Sequence, residues 1–220
     1  MPSLGRLPNP PDPRDNNHPF SAHLQTLDLT ALPLTKMWRC GTPRLDQGQH
    51  GYCVGFAGAN WEQCYPTYTP ANNALGVANY MACKAIPGEP WPGQEGTSDR
   101  FLAQVFLNQG RIGRYLWALS PLDLKNWILS TGPVMVGTDW TEGMFDPTYD
   151  GFVNVTGNVA GGHEYLIRGY DHWRDAYRFR NSWGEMWGIR GEAWIKRIDL
   201  ENLIFNRNGD ALAAIEKVPV

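Results

Sequence analysis

The chain has 220 residues, 42% hydrophobic and 12% aromatic with ten Trp, which suits one large domain or two lobes and is too apolar for a disordered chain. Nineteen Lys and Arg against 22 Asp and Glu leave a net charge of −3, without the polybasic footprint that nucleic acid or an anionic lipid surface requires. No run nears the roughly 18 consecutive apolar residues of a membrane span.

Residues 1–36 are rich in Pro, Asn and Asp and follow no period, so they read as an extended arm lying over the surface. Pro8, Pro10, Pro11 and Pro13 stand where a secretion signal needs an apolar core. No cleavable signal is read; cytoplasm and export by another route both stay open. From Cys53 to Gln63, Val54, Phe56, Ala57 and Ala59 alternate with Gly55 and Gly58, the texture of a buried, closely packed helix. A second helix is expected over Asn72–Lys84. A third is capped by Thr97-Ser98-Asp99, carries Phe101, Leu102, Val105 and Phe106 at helical spacing, and ends at Gly110. Ser120-Pro121-Leu122-Asp123 supplies an N-cap, a Pro at the first helical position and an acid at the third, with Leu124, Trp127 and Ile128 following before Gly132-Pro133.

Beyond Pro133 the pattern shortens. Val134–Val136, Gly151–Val155, Tyr165–Ile167, Tyr177–Phe179 and Ala193–Ile195 are strand-like runs between Gly, Asn and Asp. Helices first and strands second predict an α+β fold.

Four cysteines, 40, 53, 64 and 83, form no paired Cys-x-x-Cys knuckle. A zinc site from Cys40, His50, Cys53 and Cys64 is therefore not expected. Cys53 stands apart because it opens a helix, where unpaired N–H groups and the positive dipole end stabilise a thiolate. Cys40, Cys64 and Cys83 read as buried structural thiols; with Cys53 reserved, one bridge at most forms among them. A thiolate needs an imidazole partner, and that ring needs a third group to hold it. Among five histidines, His18, His23 and His172 sit in polar surroundings and read as surface residues. His163 follows Gly161-Gly162 at the start of a strand, and Asn181-Ser182-Trp183-Gly184 offers an amide and an indole to shield it.

The order Gln47, Cys53, His163, Asn181, with Asp46-Gln47-Gly48 before the cysteine and Asn181-Ser182-Trp183-Gly184 followed by Trp187-Gly188, resembles the papain-like cysteine peptidase family over about residues 36–197. The resemblance implies a two-lobe fold, a helical lobe (about 45–118) beside an antiparallel β-barrel-like lobe (about 119–205), within a peptidase domain over 37–220 and with the active site between the lobes. It implies that Cys53 attacks the scissile carbonyl, His163 is general acid and base, and Asn181 orients its ring. Gln47 and the Cys53 N–H would bind the oxyanion, and Trp183 would cover the Asn–His contact. Gly96 and Gly162 are expected beside substrate backbone.

Departures are visible. The family's Cys-Gly-Ser/Ala-Cys-Trp/Tyr signature reads His50-Gly51-Tyr52-Cys53-Val54 here, and the distances to His163 and Asn181 fall short of the roughly 130–150 residues of the pattern. With no long prodomain before Cys53, compact prokaryotic or viral members are the more similar. The expected activity is hydrolysis of peptide or protein substrates by an endopeptidase without metal or organic cofactor. A peptidoglycan amidase or endopeptidase and an inactive binding module are the alternatives. The Pro-rich arm is a candidate to lie in the cleft and limit access. Oligomeric state is not legible.

Overall fold

The computed structural model describes residues 2–10, 12 and 19–216; the expectations placed on Pro11, Pro13 and His18 fall outside them. In chain order the elements are α1 (Phe20–Leu24), β1 (Lys36–Met37), α2 (Cys53–Glu62), α3 (Asn73–Lys84), α4 (Asp99–Asn108), β2 (Ile112–Trp117), α5 (Pro121–Ser130), β3 (Val134–Thr141), β4 (Val159–Asp171), β5 (Ala176–Arg180), β6 (Glu192–Lys196), α6 (Arg197–Phe205) and β7 (Asp210–Glu216).

A side-chain cap fixes the start of α5 as the sequence suggests, while at α4 Ser98 makes no side-chain cap bond, contrary to expectation. The Asn72 side chain accepts from the Leu75 N–H, and Ser120 Oγ accepts from the Asp123 N–H at 3.2 Å. Every residue of α2 is buried. Gly55 allows this: a Cβ there would lie 2.4 Å from the Gly76 carbonyl of α3, so only glycine lets the two helices approach so closely.

One antiparallel sheet runs β2-β7-β3-β4-β5-β6, with β1 paired to β4. It is open, not barrel-like as expected, because its two ends, β2 and β6, do not pair. Side chains alternate across it with the period of two that a strand imposes. Val134, Val136, Tyr165, Ile167, Ala211 and Ala213 join one core with α5 and α6. Met135, Leu166 and Leu212 join the other, with Cys53, Phe101, Leu102 and Phe106.

Several expectations are corrected. Gly151–Val155 forms a single bridge, Phe152 to Trp194, because Gly151 (φ +84°) and the Thr148 turn curl the chain after one contact. Ile112–Trp117 is a strand inside the stretch read as helical. The helix α6 was signalled by Leu200, Leu203 and Ile204 at helical spacing but not read. The one bridge that the cysteine count allowed joins Cys40 to Cys64, and Cys83 is the thiol left free and buried. The arm lies over the surface but sends side chains into it: Phe20 is fully buried against Trp127 at 4.5 Å, and Arg6 is 4% exposed.

Candidate active site

Cys53 is the first residue of α2 and is fully buried. Its sulfur is met by the backbone N–H groups of Glu164, Gly5 and Val54, so it lies beside the residue that follows His163. Burial pushes the Cys53 thiol up to about 12, against the partial help of those N–H groups.

His163 lies within β4 rather than at a strand start, opposite Thr138. Its Nε2 is 2.7 Å from Asn181 Oδ1, which also accepts the Ser182 N–H at 2.8 Å. An amide oxygen only accepts, so Nε2 carries the proton and the neutral ring keeps its Nδ1 lone pair free. Nδ1 is buried and has no hydrogen-bond partner among the described residues. Burial lowers the imidazole to about 4, with the Asn181 bond opposing. Thiol and imidazole are thus both neutral across the physiological range in this form.

Trp183 covers the His–Asn contact at 4.6 Å between ring centroids, and Trp140, which sequence reasoning missed, meets the His163 ring edge-on at 4.8 Å. Front and back halves of the chain are stitched together here: Asp46 bridges Trp183, the Gln47 N–H donates to the Ser182 carbonyl at 2.8 Å, and Gly184 N–H to the Leu45 carbonyl at 3.0 Å. Ser182 Oγ donates to Gln47 Oε1 at 2.5 Å, which orients the Gln47 amide. Its Nε2 donates to the His50 carbonyl at 2.6 Å and to the Ser3 carbonyl at 3.0 Å.

That last partner belongs to the arm, which runs directly over the site. Gly5 and Arg6 N–H groups donate to the Gly162 carbonyl at 3.1 and 3.0 Å, Leu7 N–H to the Thr97 carbonyl at 2.8 Å, and Thr97 N–H to the Gly5 carbonyl at 3.0 Å. Gly162 therefore touches peptide backbone. At the other wall the pairing is made by Thr97, which sequence reasoning missed. The Gly96 N–H donates to Tyr80 Oη and its carbonyl accepts from Lys84 Nζ. Gly96 adds clearance instead: at φ +105° a Cβ would stand 2.6 Å from the Gly5 carbonyl oxygen.

The other described histidines lie elsewhere. His172 is exposed, His23 is half-buried on Trp127, and His50 is exposed beside Glu95 at 3.2 Å.

With this geometry in place, the comparisons with known proteins bear on one family. The model described as papain family cysteine protease matches residues 103–202. Over those residues, a little under half of the chain, the sequence is similar to that family. Mouse cathepsin J is 26% identical over 208 residues, 77% of this chain and 62% of its own length; the chain thus spans less than two thirds of that relative. Among solved structures, xylellain, a cysteine protease from Xylella fastidiosa, superposes with a TM-score of 0.64 at 18% identity, covering 98% of this chain and 96% of its own. The digestive procathepsin L2 proteinase from Tenebrio molitor larval midgut gives 0.71 at 19%, covering 97% and 78%. The papain-like fold accounts for the whole sheet and the helices packed on it. No described helix is long and apolar enough to cross a membrane.

Proposed function

We propose that this chain is a papain-family cysteine endopeptidase that cleaves peptide or protein substrates through an acyl-enzyme on Cys53, with residues 3–7 of its arm holding the site closed. The observation that carries the reading is the His163 Nε2–H bond to Asn181 at 2.7 Å under Trp183, which leaves Nδ1 as the free base on the residue before Glu164, whose backbone acts on the Cys53 thiol.

When the cleft opens to substrate, the thiol proton passes to His163 Nδ1 and the sulfur attacks the scissile carbonyl carbon. The oxyanion accepts from Gln47 Nε2 and the Cys53 N–H, the former now turned toward the Ser3 carbonyl. The tetrahedral intermediate collapses as His163 gives its proton to the leaving amine, which departs and leaves a thioester. A water then loses a proton to His163, attacks the thioester, and the carboxylic acid leaves as the thiol is restored. Asn181 keeps the Nε2 proton in place, so the ring shuttles only through Nδ1. Family and fold favour this reading over a peptidoglycan amidase or an inactive binding module.

The arm stands where a substrate would: its backbone takes the hydrogen bonds of Gly162 and Thr97, and its Ser3 carbonyl takes the Gln47 amide. In a chain whose arm has been released, Cys53→Ala is expected to abolish hydrolysis of a fluorogenic peptide, and Gln47→Ala to lower kcat on the order of 10²–10³-fold. Residual cleavage at the parental rate in Cys53→Ala would refute the assignment.

A further inference from the structure

Beside His163, three carboxylates surround a space that a glycine leaves open. Glu164 on β4 and Asp210 on β7 both stand opposite Gly137 on β3, and directly paired residues share a face of the sheet. Two acids thus flank a residue with no side chain across three adjacent strands. Asp99, the first residue of α4, completes the set: one oxygen from each of the three lies within 4.8 Å of the others. A Cβ on Gly137 would sit 2.5 Å from Glu164 Oε2, 2.7 Å from Asp210 Oδ1 and 2.6 Å from Arg6 Nε.

The occupant of that space is the Arg6 side chain, 2% exposed, whose Nη2 donates to Asp210 Oδ2 at 2.6 Å. Asn9 of the same arm donates from Nδ2 to Asp99 Oδ1 and to Asp210 Oδ2, both at 2.6 Å. One guanidinium leaves much acceptor capacity unused: both Glu164 oxygens, Asp99 Oδ2 and Asp210 Oδ1 are buried without a hydrogen-bond partner among the described residues. Burial and the neighbouring acids hold Asp99 and Glu164 well above the usual carboxylate range. Burial opposes the Arg6 charge, but Asp210, Asp99 and Glu164 outweigh it and keep the guanidinium protonated.

We propose that the Asp99–Glu164–Asp210 pocket is a specificity subsite for a basic side chain, arginine before lysine, of the substrate, and that Arg6 fills it as a resident mimic. The proposal rests on the peptidase reading above. Gly5, whose N–H faces the Cys53 sulfur, adjoins Arg6, so the pocket serves a residue within two positions of the bond that is cut. A planar guanidinium can meet several carboxylate oxygens at once, whereas an ammonium is a point charge, which sets the order of preference.

The test uses the full-length Arg6→Ala variant, its folding checked by thermal melting, on internally quenched peptides with Arg, Lys, Leu or Glu at each of two positions on either side of the cleaved bond. The expected result is a kcat/KM for Arg on the order of 30-fold or more above Leu at one position, with Glu poorest. Adding Asp210→Asn and Glu164→Gln should collapse that ratio. Cleavage with no preference for Arg overturns the pocket and leaves the peptidase reading standing, while failure to cleave any peptide means the arm still closes the site, and the peptidase reading is then decided by the arm-released chain. In that case, or should Arg6→Ala not fold, iodoacetamide labelling of Cys53 in full-length Arg6→Lys and Arg6→Met still tests the pocket. Labelling faster in Arg6→Met than in Arg6→Lys supports a cation-selecting site, and equal rates overturn it.

Discussion

Cutting the chain before Pro19 removes the segment over Cys53 while keeping Phe20 in the core, and its clearest consequence is a change in thiol reactivity. With the arm in place, burial holds the thiol at about 12 against an ordinary 9.0. At pH 7.5 the thiolate fraction is then about three in a hundred thousand rather than about three in a hundred, a thousandfold loss. Greater intrinsic nucleophilicity of the more basic sulfur returns a factor of about 15 to 30, since nucleophilicity rises with about 0.4–0.5 of the pKa change. The full chain should therefore alkylate at Cys53 some 30- to 70-fold more slowly than an exposed cysteine, roughly, before any steric exclusion is added. Without residues 1–18, water and the His163 Nδ1 reach the sulfur, and labelling should become faster than that of an ordinary thiol because the imidazolium stabilises the thiolate. Iodoacetamide at pH 7.5, timed quenching and mass mapping of the labelled peptides give both rates. Cys83, free and buried, is the internal control. Equal Cys53 rates in the two proteins, or labelling of Cys83 in step with Cys53, would refute the reasoning.

Two further outcomes follow from the packing and the titrations. Phe20→Ala should cost about 3–5 kcal/mol in urea unfolding, since a fully buried ring packed at a tilt on Trp127 leaves a cavity. Removal of all of residues 1–36 should accordingly give an unstable protein, not a faster one, and a cut before Pro19 that melts with the full chain separates the two. The His163 imidazole, lowered to about 4 by burial from an ordinary 6.5, binds its proton in the unfolded chain first. Its contribution, about 3 kcal/mol, is complete above pH 6.5 and lost as the pH falls to 4. Melting temperature followed over that window should slope less steeply in His163→Gln, and an unchanged slope would rule the group out.

The residues proposed for chemistry were legible because each carries a local signal. Cys53 opens a run of small residues, His163 follows two glycines, and Asn181-Ser182-Trp183-Gly184 is a contiguous motif. Gln47 was legible through its neighbours Asp46 and Gly48. Trp140 was not, since nothing in Val134–Thr141 distinguishes an indole that meets the His163 ring from one that fills a core. Thr97 was passed over for Gly96 because glycine advertises backbone access, whereas hydrogen bonding depends on which peptide faces the cleft. The open sheet also escaped the sequence, because β7, Asp210–Glu216, is rich in alanine and weak in strand propensity.

Amino-acid order alone determined the α+β class, the capped helices and the candidate Cys–His–Asn set, all of which depend on periodicity or short motifs. Only the folded chain decided that Arg6 meets Asp210 across 204 positions of sequence, and that Glu164 and Asp210 flank Gly137. Such neighbours are created by strand register and by the path of an arm with no period of its own. Pairing energies between distant segments leave no mark on the local pattern of either.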